Sequence, residues 1–213
     1  MKCNKENLTL YAITDSRFAT SKSLAELVED AILGGATMIQ YREKTLTGDA
    51  LISDARAIFE VCKAHNTPFI INDYVWLAIE LDADGVHVGQ SDLEVKEARN
   101  LLGPDKIIGV TAKTVEQAIK AEQNGASYLG SGAVFGTTTK LDAKPMSMEL
   151  LKEITTSVSI PVVAIGGITT GNIHKLEGSG IAGVAVVSGL LRLRLYVTLI
   201  VTVSHAFFIG KFL

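Results

Sequence analysis

The chain alternates two kinds of apolar pattern. Short, nearly continuous β-branched runs recur at residues 8–14, 37–41, 69–72, 85–88, 107–111, 128–131, 162–165 and 183–187. Longer stretches with apolar positions spaced for one face of a helix lie between them. A repeat of roughly two dozen residues is what a strand, a loop, a helix and a second loop require. Strands that are apolar along most of their length belong to a parallel sheet covered on both faces. Eight of them, each followed by a helix, predict a closed α/β structure, a TIM (β/α)₈ barrel. An open doubly wound sheet is the competing arrangement, but it calls for a glycine-rich turn after the first strand. Here that strand runs into Thr14-Asp15-Ser16, with no GxGxxG.

Helix punctuation agrees with this division. Ser23-Leu24-Ala25-Glu26 and Thr114-Val115-Glu116-Gln117 match the capping box, a hydroxyl at the N-cap and Glu or Gln three residues on. Gly34-Gly35 and Gly125 fall where helices stop before the next strand. A chain of 213 residues is short for two domains and close to the ~200 residues that a small barrel needs. It is therefore read as a single domain over 1–213.

Composition narrows the function classes. The chain is 47% hydrophobic and 20% charged, with a formal net charge of −3, and it carries no basic stripe. Nucleic acid is therefore not the expected partner. Cys3 and Cys62 fit no metal-ligand spacing, and Cys62 reads as an apolar filler of a helix. No apolar leader precedes the first strand, which predicts a cytoplasmic protein. Residues 195–209 read LYVTLIVTVSHAFFI without a charge. That run is shorter than the ~20 residues of a membrane-spanning helix, so no membrane partner is expected. Homo-oligomerisation stays open.

In such barrels the chemistry sits where strands end and the following loops begin. The second strand ends in Gln40-Tyr41-Arg42-Glu43-Lys44, the third in Asn72-Asp73, and the fourth in a run from His87 to Asp92. The fifth ends at Thr111, and the loop after the sixth carries Thr137-Thr138-Thr139-Lys140. The seventh ends in Gly166-Gly167, the eighth in Val187-Ser188. Arg42 and Lys44, at alternate positions, read alone as an exposed charged turn. With Lys140 on the same rim they call for an anion between them, phosphate above all. Asp73 and Asp92, at the ends of neighbouring strands, are either helix N-caps or paired oxygen ligands for Mg²⁺ bridging to a diphosphate. Gly166 and Gly167 make either a tight turn or a backbone cradle for a monophosphate. His87 is read as a core filler in preference to a catalytic group. No nucleophile–base pair emerges.

In order along the chain, YAITDS (11–16), GGATMIQYREK (34–44), INDYVWLAIELDADGVHVGQSD (71–92), GVTAKTVEQA (109–118), FGTTTK (135–140), VVAIGGIT (162–169) and GVAVVS (183–188) resemble the thiamine phosphate synthase family. The resemblance covers residues 8–188. It implies a transferase that joins a pyrimidine diphosphate to a thiazole phosphate and releases pyrophosphate, two small-molecule substrates, by a dissociative route. It implies that Gln40, Tyr41, Arg42, Glu43, Lys44, Asn72 and Thr111 line the pyrimidine diphosphate site, with Thr111 standing where the family usually has serine. Thr137, Thr138, Thr139, Gly167, Val187 and Ser188 would hold the thiazole phosphate. Lys140 would contact the diphosphate, and Asp73 and Asp92 would hold Mg²⁺. Arg42, Lys44 and Lys140 would serve catalysis by stabilising the departing charge. Gly132-Ala133 replaces the family's usual Gly-Pro. Residues 189–213 replace the family's amphipathic last helix with an atypical apolar segment, which predicts an altered closing layer. The alternatives are a thiazole tautomerase-like isomerase on the same barrel, or an inactive paralogue that binds phosphate ligands.

Overall fold

The computed structural model describes residues 3–89, 95–136 and 145–187. Eight strands, β1 (Leu10–Ile13), β2 (Met38–Tyr41), β3 (Phe69–Asn72), β4 (Gly85–Val88), β5 (Ile107–Thr111), β6 (Tyr128–Gly132), β7 (Val162–Ile165) and β8 (Gly183–Val186), close into a barrel in sequence order. All neighbours run parallel. β1 pairs with β2 through Tyr11 and Met38, and β8 returns to β1 through Val186 and Ala12. The predicted strands are all present, the first trimmed at both ends.

Side chains alternate across this wall, as the two-residue period of a strand demands. Ala12, Ile39, Ile71, Val86 and Val110 face outward into the layer beneath the helices. Tyr11, Met38, Ile70, Ile107, Tyr128 and Val163 fill the bore. Both layers are buried, so the strands read as continuous apolar runs. Space in the bore is set by pairing large residues with absent ones. A Cβ on Gly109 would lie 2.1 Å from Tyr128 Cζ, so glycine there is what admits the Tyr128 ring.

The outer ring comprises α1 (Leu24–Leu33), α2 (Gly48–Ala64), α3 (Val75–Glu80), α4 (Val95–Leu102), α5 (Val115–Gln123) and α6 (Met148–Ser157). Ser23 and Glu26 form the predicted capping box on α1, a feature worth about 1 kcal/mol. Thr114 caps α5 by accepting from Gln117 N, but the Gln117 side chain accepts from Lys113 N instead of closing the box on Thr114. Gly35 and Gly125 have φ of 96° and 92°, the left-handed conformation in which glycine ends a helix without strain. Cys62 is fully buried on α2, and burial pushes its thiol up to about 12. It is therefore inert filler.

One expected helix is reduced. β7 is followed by a 3-10 turn, Ile173–Leu176, where a full α-helix was expected. Gly178 and Gly180, both at positive φ, follow within four residues and turn the chain toward β8 before a longer helix can form. The apolar segment 189–213 lies outside the described residues. Among those described, no helix is long and apolar enough to cross a membrane.

Candidate active site

The mouth at the C-terminal ends of the strands is built loop by loop. After β1, Thr14 pins the next strand's exit: its hydroxyl accepts from Arg42 N at 2.8 Å and donates to Arg42 O at 3.2 Å. Buried Asp15 accepts from the Arg17 backbone N–H and, through both carboxylate oxygens, from its guanidinium. These bonds hold the Asp15 carboxyl below its ordinary range, burial opposes the shift, and Arg42 lends a further positive charge. A further cation, Arg17, is thus held in the loop after β1. A local signal was available: Asp15 and Arg17 are spaced for an Asx-type turn.

β2 ends at Tyr41, so Arg42, Glu43 and Lys44 lie in the loop beyond it and not on one strand face. Lys44 still reaches the neighbouring strand end. Its Nζ lies 2.5 Å from Asp73 Oδ2, and both groups are partly exposed. Asp73 follows β3 in left-handed backbone (φ 64°), and its N–H donates to His87 O on β4. The carboxylate is thereby aimed at the mouth, with Asn72 beside it at the end of β3.

Tyr41 and Glu43 sit differently from Arg42 and Lys44. The Tyr41 side chain turns outward, and its hydroxyl donates to Asp54 on α2 at 2.8 Å. Glu43 is buried, and its Oε1 accepts from Lys44 N, Thr45 N, Thr45 Oγ1 and Leu46 N. Burial pushes this carboxyl up, but the hydrogen bonds from Thr45 and Leu46, with the Ser16 hydroxyl nearby, outweigh it and hold the group down at about 2. Its second oxygen, Oε2, meets no direct donor within hydrogen-bonding geometry. Tyr41 thus ties β2 to α2, and Glu43 braces the loop that follows.

Beneath the mouth a polar chain crosses the bore. Gln40 Nε2 donates to Tyr11 OH at 2.8 Å, and Tyr11 OH lies 2.7 Å from Tyr128 OH. His87 Nδ1 is 3.0 Å from Tyr128 OH, and its Nε2 is 3.0 Å from Thr111 Oγ1. His87 keeps some solvent contact, yet burial lowers its pKa to about 4, with Asp73 pulling weakly the other way. Burial likewise raises the hydroxyls of Tyr11 and Tyr128. His87 is therefore more than a filler, and the two tyrosines escaped the sequence reading. Tyr11 lies two residues from Ile13, and Tyr128 shares its face with Gly130, so period-two alternation places both in the bore.

On the opposite side, Gly166 and Gly167 have φ of 102° and 65°. A Cβ on Gly167 would lie 2.3 Å from Gly136 O. The loop after β6 is zipped onto this turn by Val134 N to Ile165 O and Phe135 N to Gly166 O. Asn172 ties the turn further, accepting from Thr169 N and donating to Gly167 O. Val187 follows the end of β8. Asp92, Thr137, Thr138, Thr139, Lys140 and Ser188 lie outside the described residues. Among the described residues no group of three or more His, Cys, Asp or Glu side chains converges on a metal site.

A closed parallel barrel with cations, a carboxylate and a glycine turn around its mouth defines the class: a TIM-barrel enzyme whose site lies at the C-terminal ends of its strands. Residues 10–190 match the model of the family described as thiamine monophosphate synthase, and the chain belongs to that family. It is 47% identical over 188 residues to a thiamine-phosphate synthase of Ruminiclostridium cellulolyticum, covering 88% of this chain and 90% of the relative. It is also 47% identical over 189 residues to thiamine-phosphate synthase 2 of Streptococcus pneumoniae serotype 4, covering 89% and 90%. The solved thiamine phosphate pyrophosphorylase of Pyrococcus furiosus superposes with a TM-score of 0.87 at 34% identity, over 95% of this chain and 98% of that one. The chain is accordingly a transferase of thiamine biosynthesis.

Proposed function

We propose that the barrel mouth joins a hydroxymethylpyrimidine diphosphate to a hydroxyethylthiazole phosphate, giving thiamine phosphate and pyrophosphate. The observation that carries this reading is the pairing of Lys44 with Asp73 at one side of the mouth in a member of this family. The bond between the pyrimidine methylene carbon and the diphosphate oxygen breaks, and its electron pair leaves with the diphosphate. The thiazole nitrogen then donates its lone pair to the methylene cation, forming the C–N bond. The sum needs no proton transfer, which suits a site with no nucleophile–base pair among its described residues.

Each residue has a part in that scheme. Arg42, Lys44 and Lys140 stabilise negative charge developing on the leaving group, the kind of fixed electrostatic contribution that dominates many enzymes. Gln40, Asn72 and Thr111 hold the pyrimidine, while Tyr41 and Glu43 shape that side of the site, Tyr41 by tying β2 to α2 and Glu43 by bracing the loop that carries Arg42 and Lys44. Thr137, Thr138, Thr139, Gly167, Val187 and Ser188 hold the thiazole phosphate. The partly exposed Asp73 carboxylate is a hard oxygen donor beside an anion site, the donor set Mg²⁺ takes. Asp73 and Asp92 would hold that ion, which supplies charge neutralisation for the diphosphate when bound. A cytoplasmic location belongs to the same reading, since both substrates are charged, soluble phosphate esters.

The test is direct. Folded protein is mixed with both substrates and Mg²⁺, and thiamine phosphate and pyrophosphate are measured; a folded chain that forms neither sinks the proposal. The isomerase alternative gains no support here, because residues 111–113 supply no histidine after β5.

A further inference from the structure

The polar chain across the bore joins two residues that the proposed function assigns to the pyrimidine, Gln40 on β2 and Thr111 on β5. It runs through three side chains with no part in that assignment, Tyr11, Tyr128 and His87. Tyr11 and Tyr128 are each no more than 1% exposed, so water offers their hydroxyls no substitute partner. Their protons must be placed within the chain itself.

With the Gln40 amide nitrogen, and not its oxygen, set against Tyr11 OH, only one order places all of them. The Gln40 amide donates to Tyr11 OH, so the Tyr11 proton goes on to Tyr128 OH at 2.7 Å. The Tyr128 proton then goes to His87 Nδ1 at 3.0 Å. An Nδ1 that accepts carries no hydrogen, so the ring proton sits on Nε2 and is donated to Thr111 Oγ1 at 3.0 Å. The reverse order would direct Tyr128 toward Tyr11 while Gln40 also donates there. The buried Tyr11 proton would then be stranded. With His87 donating to it, Thr111 cannot turn its own proton back into the bore.

We infer that His87 is a positioning residue, carrying its single ring proton on Nε2 so that Thr111 Oγ1 accepts from it and the Thr111 hydroxyl proton is turned away from the bore. Gln40 at the far end is fixed by the same chain, its amide nitrogen directed inward. The glycines around it leave room for this and nothing larger. A Cβ on Gly130 would lie 3.1 Å from His87 Cε1, and one on Gly109 would collide with Tyr128. The ring positions are thus set by the barrel wall and the proton order by Gln40. Its catalytic consequence rests on the reading that Thr111 and Gln40 hold the pyrimidine; the tautomer does not.

The tautomer is read first, on the ¹⁵N-labelled full chain without substrate at pH 7.5. Long-range ¹H–¹⁵N correlation distinguishes the two ring nitrogens, and loss of signals in His87→Gln assigns the residue. The expected result is an unprotonated Nδ1 and a protonated Nε2; a proton on Nδ1 overturns the inference. Steady-state kinetics read the consequence. Tyr128→Phe removes one oxygen and keeps the ring. It should lower kcat on the order of tenfold, leave KM for thiazole phosphate within about twofold, and disturb the His87 pattern. His87→Gln keeps an N–H donor near Thr111 and should retain several times the kcat of His87→Leu. Equal losses in the Gln and Leu variants would assign His87 to packing alone and overturn the positioning role. Wild-type protein without synthase turnover would sink the functional reading while leaving the tautomer result standing.

Discussion

The Lys44 ammonium is paired with the Asp73 carboxylate across the ends of β2 and β3, at 2.5 Å between Nζ and Oδ2. Both groups are too exposed for the pair to matter much to stability, since such pairs contribute roughly 0–1 kcal/mol. Its significance is to hold a cation and an oxygen donor side by side where the diphosphate is proposed to sit. Asp73→Asn should therefore lower turnover by about a hundredfold or more. Its melting temperature should stay close to wild type, followed by circular dichroism beside a pyrophosphate-release assay. A variant that melts early yet turns over normally would make the pair a structural strut.

Lys44→Ala separates the two substrates. It removes charge from the diphosphate side only, so KM for the pyrimidine diphosphate should rise on the order of ten- to a hundredfold, the range of one charged hydrogen bond. KM for the thiazole phosphate should move by less than about threefold. Equal effects on both would place Lys44 at the monophosphate.

Acid should weaken the fold in two overlapping ranges. His87 has its pKa lowered from 6.5 to about 4. Below about 6.5 the unfolded chain takes up a proton that the native protein refuses, so stability falls from there down to about pH 4. Glu43 is lowered from 4.5 to about 2. Its contribution is complete above about 4.5 and is lost as pH falls toward 2. Holding this carboxyl down at about 2 corresponds to roughly 3 kcal/mol as an upper figure. Urea midpoints measured from pH 7 to 3 should decline throughout. His87→Gln should flatten the upper range and Glu43→Gln shrink the lower one, where Asp15 also contributes. A midpoint constant down to pH 4 in wild type would refute the His87 part.

Gly167 tests the monophosphate side. Alanine there meets Gly136 O at 2.3 Å and must also adopt φ of 65°. The combined strain is of order 1–3 kcal/mol. It falls on the turn that zips the loop after β6 to β7. Gly167→Ala should raise the dissociation constant for thiazole phosphate, read by calorimetry, more than that for the pyrimidine diphosphate. Weakening of the pyrimidine alone would detach Gly167 from the cradle.

The strands were legible because a wall buried on both faces writes itself as eight apolar runs, and the strand ends then point to the mouth. Lys44 and Asp73 could be placed near each other on that logic, since adjacent parallel strands end side by side. The direction of Tyr41 and Glu43 was not legible. A motif of consecutive residues hides which side chains leave the site, and only the fold supplies Asp54 to one and the amides of residues 44–46 to the other. His87 looked like filler because its partners, Tyr128 and Thr111, lie 41 and 24 residues away. The helix after β7 is reduced for a local reason: the positive-φ glycines at 178 and 180 cut short the apolar spacing before them.

Arg99 separates stability from catalysis. From α4 its guanidinium donates to Gly103 O, Lys106 O, Gly125 O and Ser127 Oγ. It thereby ties together the segments that enter β5 and β6, at the end of the barrel opposite the mouth. Nothing in local spacing announced it, because its acceptors, three carbonyls and the Ser127 hydroxyl, are scattered from residue 103 to residue 127. Arg99→Met would leave several of these acceptors unpaired, at about 2–3 kcal/mol in total. For a chain of this length that is a fall in melting temperature of roughly 5–10 °C. Residues at the N-terminal face of such barrels serve stability and those at the C-terminal face chemistry. Measured well below its melting point, Arg99→Met should therefore keep kcat and both KM values within about twofold of wild type. A large loss of turnover in a protein that is still folded would mean that the far end of the barrel reaches the site.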